Sequence, residues 1–166
     1  MKKSISDGSR NIRPAHRDDL ERVLEIERFS FEMPWDCASF TASMKDLFLV
    51  YVEEKILGFL VAFVCVIADR AIILKIAVDP EHRGKGIATG LLTRALGVFE
   101  ERNIAQVELD VDVGKNGAIK LYEKFGFKAV RSVLTDAEED ETFFIMKLEL
   151  RSAIELDGSA PVGEEL

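Results

Sequence analysis

The chain has 166 residues, of which 48% are hydrophobic, and its net charge at pH 7 is -8. This length suits one domain with a substantial core and is too short for two. The negative charge argues against an extended binding surface for DNA, RNA or an anionic membrane, and favours a small ligand or a basic partner. The sequence shows neither an apolar run of about 20 residues nor a signal peptide. We therefore expect a cytoplasmic protein that binds no nucleic acid and no membrane.

Hydrophobic spacing predicts a strand, two helices and a hairpin in the first half of the chain. Leu20, Val23 and Leu24 recur at helical spacing, and Pro34 ends the stretch that contains them. The predicted elements are, in order, a flexible tail over residues 1–11, a strand over 12–15, a helix from 17 to 31, a short helix over 38–45 and a strand pair within 47–67.

The second half predicts strands that alternate with helices before a final strand pair. The elements are, in order, a strand over 70–80, a helix ending near 103, a strand over 107–113, a short helix over 118–125, two strands within 126–150 and a flexible acidic tail over 152–166. Because three consecutive strands precede the long helix, the order excludes a purely alternating, doubly wound fold. It predicts one α/β domain over residues 12–151, with a mixed sheet and helices on both faces.

Residues 79–90 read DPEHRGKGIATG and join a predicted strand to a predicted helix. The first N–H groups of a helix lack partners inside it, and the helix dipole favours anions there. Gly84 and Gly86 remove side chains that would shield these amides, while Arg83 and Lys85 add positive charge. The stretch therefore predicts a pyrophosphate site, with a plain strand-to-helix turn as the alternative.

Two classes of nucleotide ligand compete for such a site. A dinucleotide fold would place its glycine loop after the first strand of a βαβ unit, with several such units following. Here an antiparallel hairpin precedes the loop and only one βαβ unit follows it. This context disfavours a dinucleotide.

The histidines and cysteines indicate no further site. His16 and His82 do not have the spacing of a pair of metal ligands, so we expect no metal. Cys37 and Cys65 form no CxxC pair and suggest no disulfide framework. Cys65 lies in an apolar run and is expected in the core.

The segment RGKGIA, from Arg83 to Ala88, matches the pattern (Gln or Arg)-x-x-Gly-x-(Gly or Ala) of the GNAT superfamily of acetyl-CoA-dependent N-acetyltransferases. The segments IAVDPEHRGKGIATGLL and AIKLYEKFGFK also resemble that superfamily. Pro34, Trp35 and Phe40 are similar to a Pro-Trp followed by Phe in the ribosomal-protein alanine N-acetyltransferase family. The resemblance implies a mostly antiparallel central sheet of about six or seven strands. It also implies direct acetyl transfer from acetyl-CoA to an amine.

The resemblance further implies which residues bind acetyl-CoA. In such enzymes the strand before the loop splays from its neighbour, and the backbone of Ile76, Ala77 and Val78 would pair with the pantetheine arm. The pyrophosphate would be held by the loop and first helical turn, namely Arg83, Gly84, Lys85, Gly86, Ile87, Ala88 and Thr89. Family members usually carry Asn seven residues before the catalytic tyrosine, where this chain has Lys115. Asn116 is the expected substitute for the contact to CoA.

The same resemblance assigns an acid and a base. Tyr122 matches the tyrosine near the thioester sulfur, so it is the expected donor of a proton to the leaving thiolate, with core packing as the alternative. Family members of the ribosomal type carry Glu where this chain has Asp110, which is the expected base, acting through a bridging water. Glu108 and Asp112 share its strand face by alternation, so any of the three carboxylates is a candidate. Solvated charges at a strand end are the alternative.

The acceptor is the least determined part of the prediction. A protein α-amine, with a pKa of roughly 7.7 to 8.0, is partly neutral at pH 7, and the resemblance favours it. The connection between the last two strands lacks the tyrosines that often grip the peptide in protein N-terminal acetyltransferases, and it carries the acidic run 137–141. This run is either a solvated turn or an attraction for a cationic amine such as a polyamine. A non-catalytic acyl-CoA-binding module is the third hypothesis, and a homodimer through edge strands stays open.

Overall fold

The computed structural model describes residues 8–135 and 142–150. Its strands are β1 Ile12–Pro14, β2 Leu47–Val52, β3 Ile56–Cys65, β4 Arg70–Val78, β5 Gln106–Asp112, β6 Lys128–Leu134 and β7 Thr142–Glu149. Its helices are α1 Leu20–Ser30, α2 Cys37–Ala42, α3 Ile87–Glu101 and α4 Asn116–Lys124. Within the described ranges, no helix has the length and apolarity to cross a membrane. The predicted C-terminal tail and the acidic run 137–141 lie outside the described residues.

The strands form one seven-stranded sheet in the order β1-β2-β3-β4-β5-β7-β6. Neighbouring strands are antiparallel except β4 and β5, which run parallel and are connected through α3. A parallel pair needs a crossover of a dozen or more residues, and the 15-residue α3 supplies it. The structure thus confirms the predicted mixed, mostly antiparallel sheet.

The sheet carries an apolar layer on each face. Successive residues of β2 divide between the two layers, because side chains in a strand alternate between faces. Leu47 and Leu49 pack in the layer with α3, whereas Phe48 and Val50 pack in the layer with α1 and α2. The helices therefore cover both faces of the sheet, as the element order predicted.

Close packing fixes where α3 begins. A Cβ added at Gly58 on β3 would lie 3.0 Å from the Ala77 carbonyl oxygen and 3.0 Å from Ile87 Cγ2, the first residue of α3. Real Cβ atoms rarely come this close, so a glycine at this position lets the first turn of α3 rest directly on β3 and β4. The start of α3 is thereby held beside the end of β4.

Two local predictions were wrong in detail. The helix predicted from residue 17 to 31 is a 3-10 turn at Arg17–Asp19 followed by α1, and Phe31 after it is extended, with φ -135° and ψ 140°. Cys65 is only partly buried, because the far end of β3 extends beyond the core.

Candidate active site

The strands β4 and β5 separate along their length. They pair only between Arg70–Ile73 and Gln106–Leu109. The register of β4 against β3 skips Leu74, which is therefore a β-bulge, and the separation begins there. Beyond this bulge, the edge of β4 that faces β5 has no partner strand among the described residues. The sheet opens into a gap at this point.

Backbone groups of β4 face the gap. Asp79 donates its N–H to a β3 carbonyl at 2.8 Å, just beyond the end of β4. Because strand amides alternate between the two edges, Ala77 also directs its backbone groups to β3, while Ile76 and Val78 direct theirs into the gap. Arg83 Nε donates to the Val78 carbonyl at 3.1 Å. The Val78 N–H and the backbone of Ile76 remain for a ligand.

The loop after β4 presents the amides of the first turn of α3. Gly84 and Gly86 have φ values of 76° and 84°, and a Cβ at either position would meet nothing within 4 Å. These glycines are therefore required by the backbone conformation and not by a lack of space. Gly86 caps α3 without any side-chain hydrogen bond, so the first amides of the helix have no capping side chain. The side chain of Lys85 is exposed and does not line the adjoining cavity.

A cavity of about 730 Å³ lies against this loop, the free end of β4 and α4. Apart from Lys85 and Asn116, all the residues expected to bind the cofactor line this cavity. Its cationic lining residues are Arg83, Lys115, Lys120 and Lys124, and His82 also borders it. No carboxylate of the described residues lines it, although the chain has a net charge of -8. The size and charge of this cavity suit an elongated ligand with several phosphate groups, such as acetyl-CoA.

A second cavity of about 180 Å³ adjoins the first, on the side of β5. Apolar side chains from β4, β5 and β7 supply much of its wall, together with the side chains of Asp110 and Asp112. Five residues line both cavities: Phe31, Ile76, Lys115, Ala118 and Tyr122. The two cavities therefore meet beside the gap between β4 and β5.

Tyr122 projects from α4 to the junction of the two cavities. Its side chain is 5% exposed and packs edge to face against Phe127, with ring centroids 5.9 Å apart. Burial, with a smaller contribution from the Asp110 carboxylate, raises the pKa of Tyr122 to about 12. Both effects disfavour the phenolate, so the hydroxyl stays protonated at neutral pH and is available to donate a proton or a hydrogen bond.

The three candidate carboxylates of β5 have different partners. Glu108 lies 3.6 Å from the ammonium of Lys147 on β7. Asp112 accepts a hydrogen bond from the Gly114 N–H at 2.6 Å, which holds the turn after β5. Asp110 lines the second cavity and has no ion pair or hydrogen bond within the described part of the chain. It is the carboxylate whose lone pairs are available to a ligand.

The structure brings Lys115 to the cavities and leaves Asn116 outside them. Asn116 is the exposed first residue of α4 and lines neither cavity. Lys115 lines both, and its Nζ lies 4.3 Å from the centroid of the Phe31 ring. A cation therefore stands where family members usually carry an amide.

Sequence reasoning missed a buried ion pair at the second cavity. Lys75 Nζ lies 2.7 Å from Glu27 Oε1 and 3.9 Å from the centroid of Phe31. The backbone N–H of Trp35 donates to the same Glu27 oxygen at 2.9 Å. The sequence did contain a signal for this pair, because Glu27 in α1 and Lys75 in β4 are each a single charge within an apolar pattern. Across the described residues, no group of three His, Cys, Asp or Glu could hold a metal ion.

Comparison with known proteins gives the family. The model of the acetyltransferase (GNAT) family matches residues 14–127. The chain is 30% identical over 112 residues to a ribosomal protein bS18-alanine N-acetyltransferase of Escherichia coli, covering 66% of this chain and 74% of that protein. It is 25% identical over 150 residues to an N-alpha-acetyltransferase of Saccharolobus solfataricus, covering 81% of this chain and 90% of that protein.

The fold comparison agrees with the sequence comparison. The crystal structure of the ribosomal-protein-S18-alanine N-acetyltransferase from Escherichia coli superposes with a TM-score of 0.76 at 26% identity, covering 86% of this chain and 94% of that chain. The shared architecture includes the sheet on which the gap, the glycine loop and both cavities are built. On these grounds, the chain belongs to the GNAT family of acetyl-CoA-dependent N-acetyltransferases.

Proposed function

We propose that this acetyltransferase acts on the α-amine of a protein N-terminus, as the names of its ribosomal-protein and N-alpha relatives describe for those proteins. The observation that carries the proposal is the meeting of the two cavities at Tyr122, with Asp110 in the wall of the smaller one. The larger cavity suits the donor, and the smaller one leaves room for the end of a peptide. An acid and a base thus lie where an amine would meet a thioester.

The donor supplies a thioester carbonyl carbon that a neutral amine can attack. The backbone of Ile76 and the N–H of Val78 bind the pantetheine arm and the acetyl group along the free edge of β4. The Val78 N–H polarises the acetyl carbonyl, because a fixed backbone donor stabilises negative charge on that oxygen. The amides of the glycine loop and of the first turn of α3 bind the pyrophosphate.

Asp110 is the proposed base. An α-ammonium has no lone pair for attack, so its proton must leave before or during the reaction. Aspartate is one methylene shorter than the glutamate of family members of the ribosomal type, and a bridging water compensates for this difference. Glu108 and Asp112 are weaker candidates, because Glu108 is ion-paired with Lys147 and Asp112 accepts a hydrogen bond from the Gly114 N–H.

Tyr122 is the proposed acid. Its raised pKa of about 12 keeps the hydroxyl protonated over the pH range in which an α-amine becomes neutral. The hydroxyl donates to the sulfur as the thiolate leaves, and burial at the cavity junction holds it in place. Positioning of amine and thioester supplies most of the remaining rate gain.

The charges of the smaller cavity weigh against a polyamine acceptor. Lys115 lines it without an ion-pair partner among the described residues and would repel the further cationic centres of a polyamine. A peptide α-amine brings one positive charge, which Asp110 offsets. The small volume of about 180 Å³ also favours a small first side chain, such as that of alanine.

The remaining hypotheses from the sequence have different outcomes. A non-catalytic acyl-CoA-binding module is set aside, because the chain belongs to a family of enzymes. The cytoplasmic location and the homodimer stay predictions.

Acetylation of matched peptides tests the proposal. The purified protein is mixed with acetyl-CoA and an Ala-initiated peptide containing one lysine, and thiol release is followed with mass mapping of the product. The controls are the same peptide with a blocked α-amine and the polyamine spermidine. We expect acetylation of the free α-amine alone. Transfer to spermidine in preference to every peptide, or to the lysine of the blocked peptide at an equal rate, would reject the proposal.

A further inference from the structure

Two lysines of α4 line the larger cavity and have no role in the acetyl transfer described above. Lys120 and Lys124 are four residues apart in the nine-residue helix α4. Residues at this spacing lie on the same face of a helix, one turn apart. Their ammonium groups therefore point to the same side of α4 and border the same cavity.

These lysines have no anionic partner among the residues that the structure describes. Neither makes an ion pair or hydrogen bond with another residue of the described ranges 8–135 and 142–150, and both are exposed. The same cavity has no carboxylate in its described lining. In a chain with a net charge of -8, two unpaired lysines beside a wall without acids form a local site for an anion.

The pyrophosphate and the 3′-phosphate of the donor need different binding groups. CoA carries a pyrophosphate and, on the ribose, a 3′-phosphate monoester. The pyrophosphate is matched by the amides of the glycine loop and the start of α3, which face the cavity from the opposite element. The phosphate monoester carries a charge of about -1.5 to -2 at pH 7 and requires cationic groups beyond those amides. Two ammonium groups one helical turn apart balance this charge.

We propose that Lys120 and Lys124 bind the 3′-phosphate of CoA and make the enzyme select CoA over 3′-dephospho-CoA. This inference rests on acetyl-CoA as the donor and deepens the assignment of that site. Helix α4 would then contact both ends of the donor, because Tyr122 contacts the thioester and the two lysines contact the 3′-phosphate of the ribose. Selection at the 3′-phosphate is independent of the acceptor.

Binding of the two thiols, measured by calorimetry without any acceptor, tests this inference. The wild type, the double variant Lys120→Gln/Lys124→Gln and the control Lys55→Gln are each titrated with CoA and with 3′-dephospho-CoA. Lys55 is exposed in the turn between β2 and β3 and does not line the cavity, so its variant shows the effect of removing one lysine charge elsewhere on the surface. Thermal melting of each variant checks that it is folded.

We expect the wild type and the control to bind CoA about tenfold more tightly than 3′-dephospho-CoA, which is the effect of two partly exposed ion pairs. The double variant should bind both thiols equally, with its affinity for 3′-dephospho-CoA unchanged. The preference of the wild type should also shrink at high salt, since the pairs are exposed.

Three results would overturn the inference. Equal binding of the two thiols by the wild type would remove the selection itself. A preference that persists in the double variant would assign the 3′-phosphate to other residues. An equal loss of affinity for both thiols in the double variant would assign the lysines to the pyrophosphate. Absence of binding of either thiol to the wild type would instead reject the donor assignment, which distinguishes the two failures.

Discussion

Removing the cation of the buried Glu27–Lys75 pair should destabilise the protein strongly. The Glu27 side chain is fully buried, the Lys75 side chain is 12% exposed, and their charged atoms are 2.7 Å apart. At an effective dielectric constant of about 20, this distance corresponds to a Coulomb attraction of about 6 kcal/mol. Desolvation of the two ions costs about as much, so the pair as a whole contributes little. Breaking it is different, because Lys75→Met leaves a carboxylate buried without its partner.

We expect Lys75→Met to lower the free energy of unfolding by about 3 to 5 kcal/mol. The second oxygen of Glu27, Oε2, is buried and has no hydrogen-bond partner among the described residues, so after loss of the ammonium the carboxylate keeps only the hydrogen bond from the Trp35 backbone N–H. The double variant Glu27→Gln/Lys75→Met should recover most of this loss. The change Glu27→Gln removes the negative charge, and the amide oxygen that it introduces can still accept from the Trp35 N–H.

Urea denaturation of the two variants and a control measures the effect. The control is Lys147→Met, which breaks the Glu108–Lys147 pair at 3.6 Å, with side chains 20% and 31% exposed. This more exposed pair should contribute at most about 1 kcal/mol. A loss for Lys75→Met no larger than that of the control would refute the reasoning. A double variant as unstable as Lys75→Met would show that packing of the lysine stem, and not charge, is responsible.

The other predictions concern the reaction and the glycine loop. Tyr122→Phe should lower kcat by about 100-fold or more while CoA affinity, measured by calorimetry, stays within about twofold; an unchanged kcat would reject the acid role. Because burial and then Asp110 raise the pKa of Tyr122 to about 12, the wild-type rate should rise with pH as the α-amine loses its proton near pH 8 and should not fall before about pH 10. Asp110→Asn should lower kcat by about 100-fold, whereas Glu108→Gln should change it less than about threefold; the reverse order would move the base to the other carboxylate. Gly86→Ala should lower the free energy of unfolding by about 1 to 2 kcal/mol in urea titrations, because φ is positive at this position. Gly97→Ala inside α3 should instead raise it by up to about 1 kcal/mol. Equal effects of the two changes would contradict the conformational explanation.

Local signals in the sequence were enough to predict the order of the elements and the glycine loop. Gly84 and Gly86 stand between an apolar run and a helical pattern, and both have positive φ in the structure. Their effect is confined to the backbone of a few neighbouring residues. Such short-range features are the ones that a sequence pattern expresses directly.

Features that depend on contacts between distant elements could not be predicted. Phe31 fits the helical spacing of α1, yet the helix ends one residue earlier and the ring lies between Lys75 and Lys115. Periodicity cannot show where tertiary packing ends a helix. The three carboxylates of β5 looked equivalent by alternation, and only the positions of Lys147 and the Gly114 N–H distinguish Asp110 from the others.

The bulge at Leu74 changes the phase of side-chain alternation within β4. Before it, Ala71 and Ile73 pack in the layer of α3, whereas after it Ala77 packs in the layer of α1, although all three positions are odd-numbered. In a regular strand that kept all these residues, Lys75 would face the apolar layer under α3, because unbroken alternation places residues 71, 73 and 75 on one face. The bulge therefore lies where the sheet opens for the donor, on the strand that also carries Lys75. Deleting Leu74 would remove the bulge yet leave Lys75 and Ala77 on their present faces, so the extra residue serves the opening of the sheet and not the placement of the ion pair.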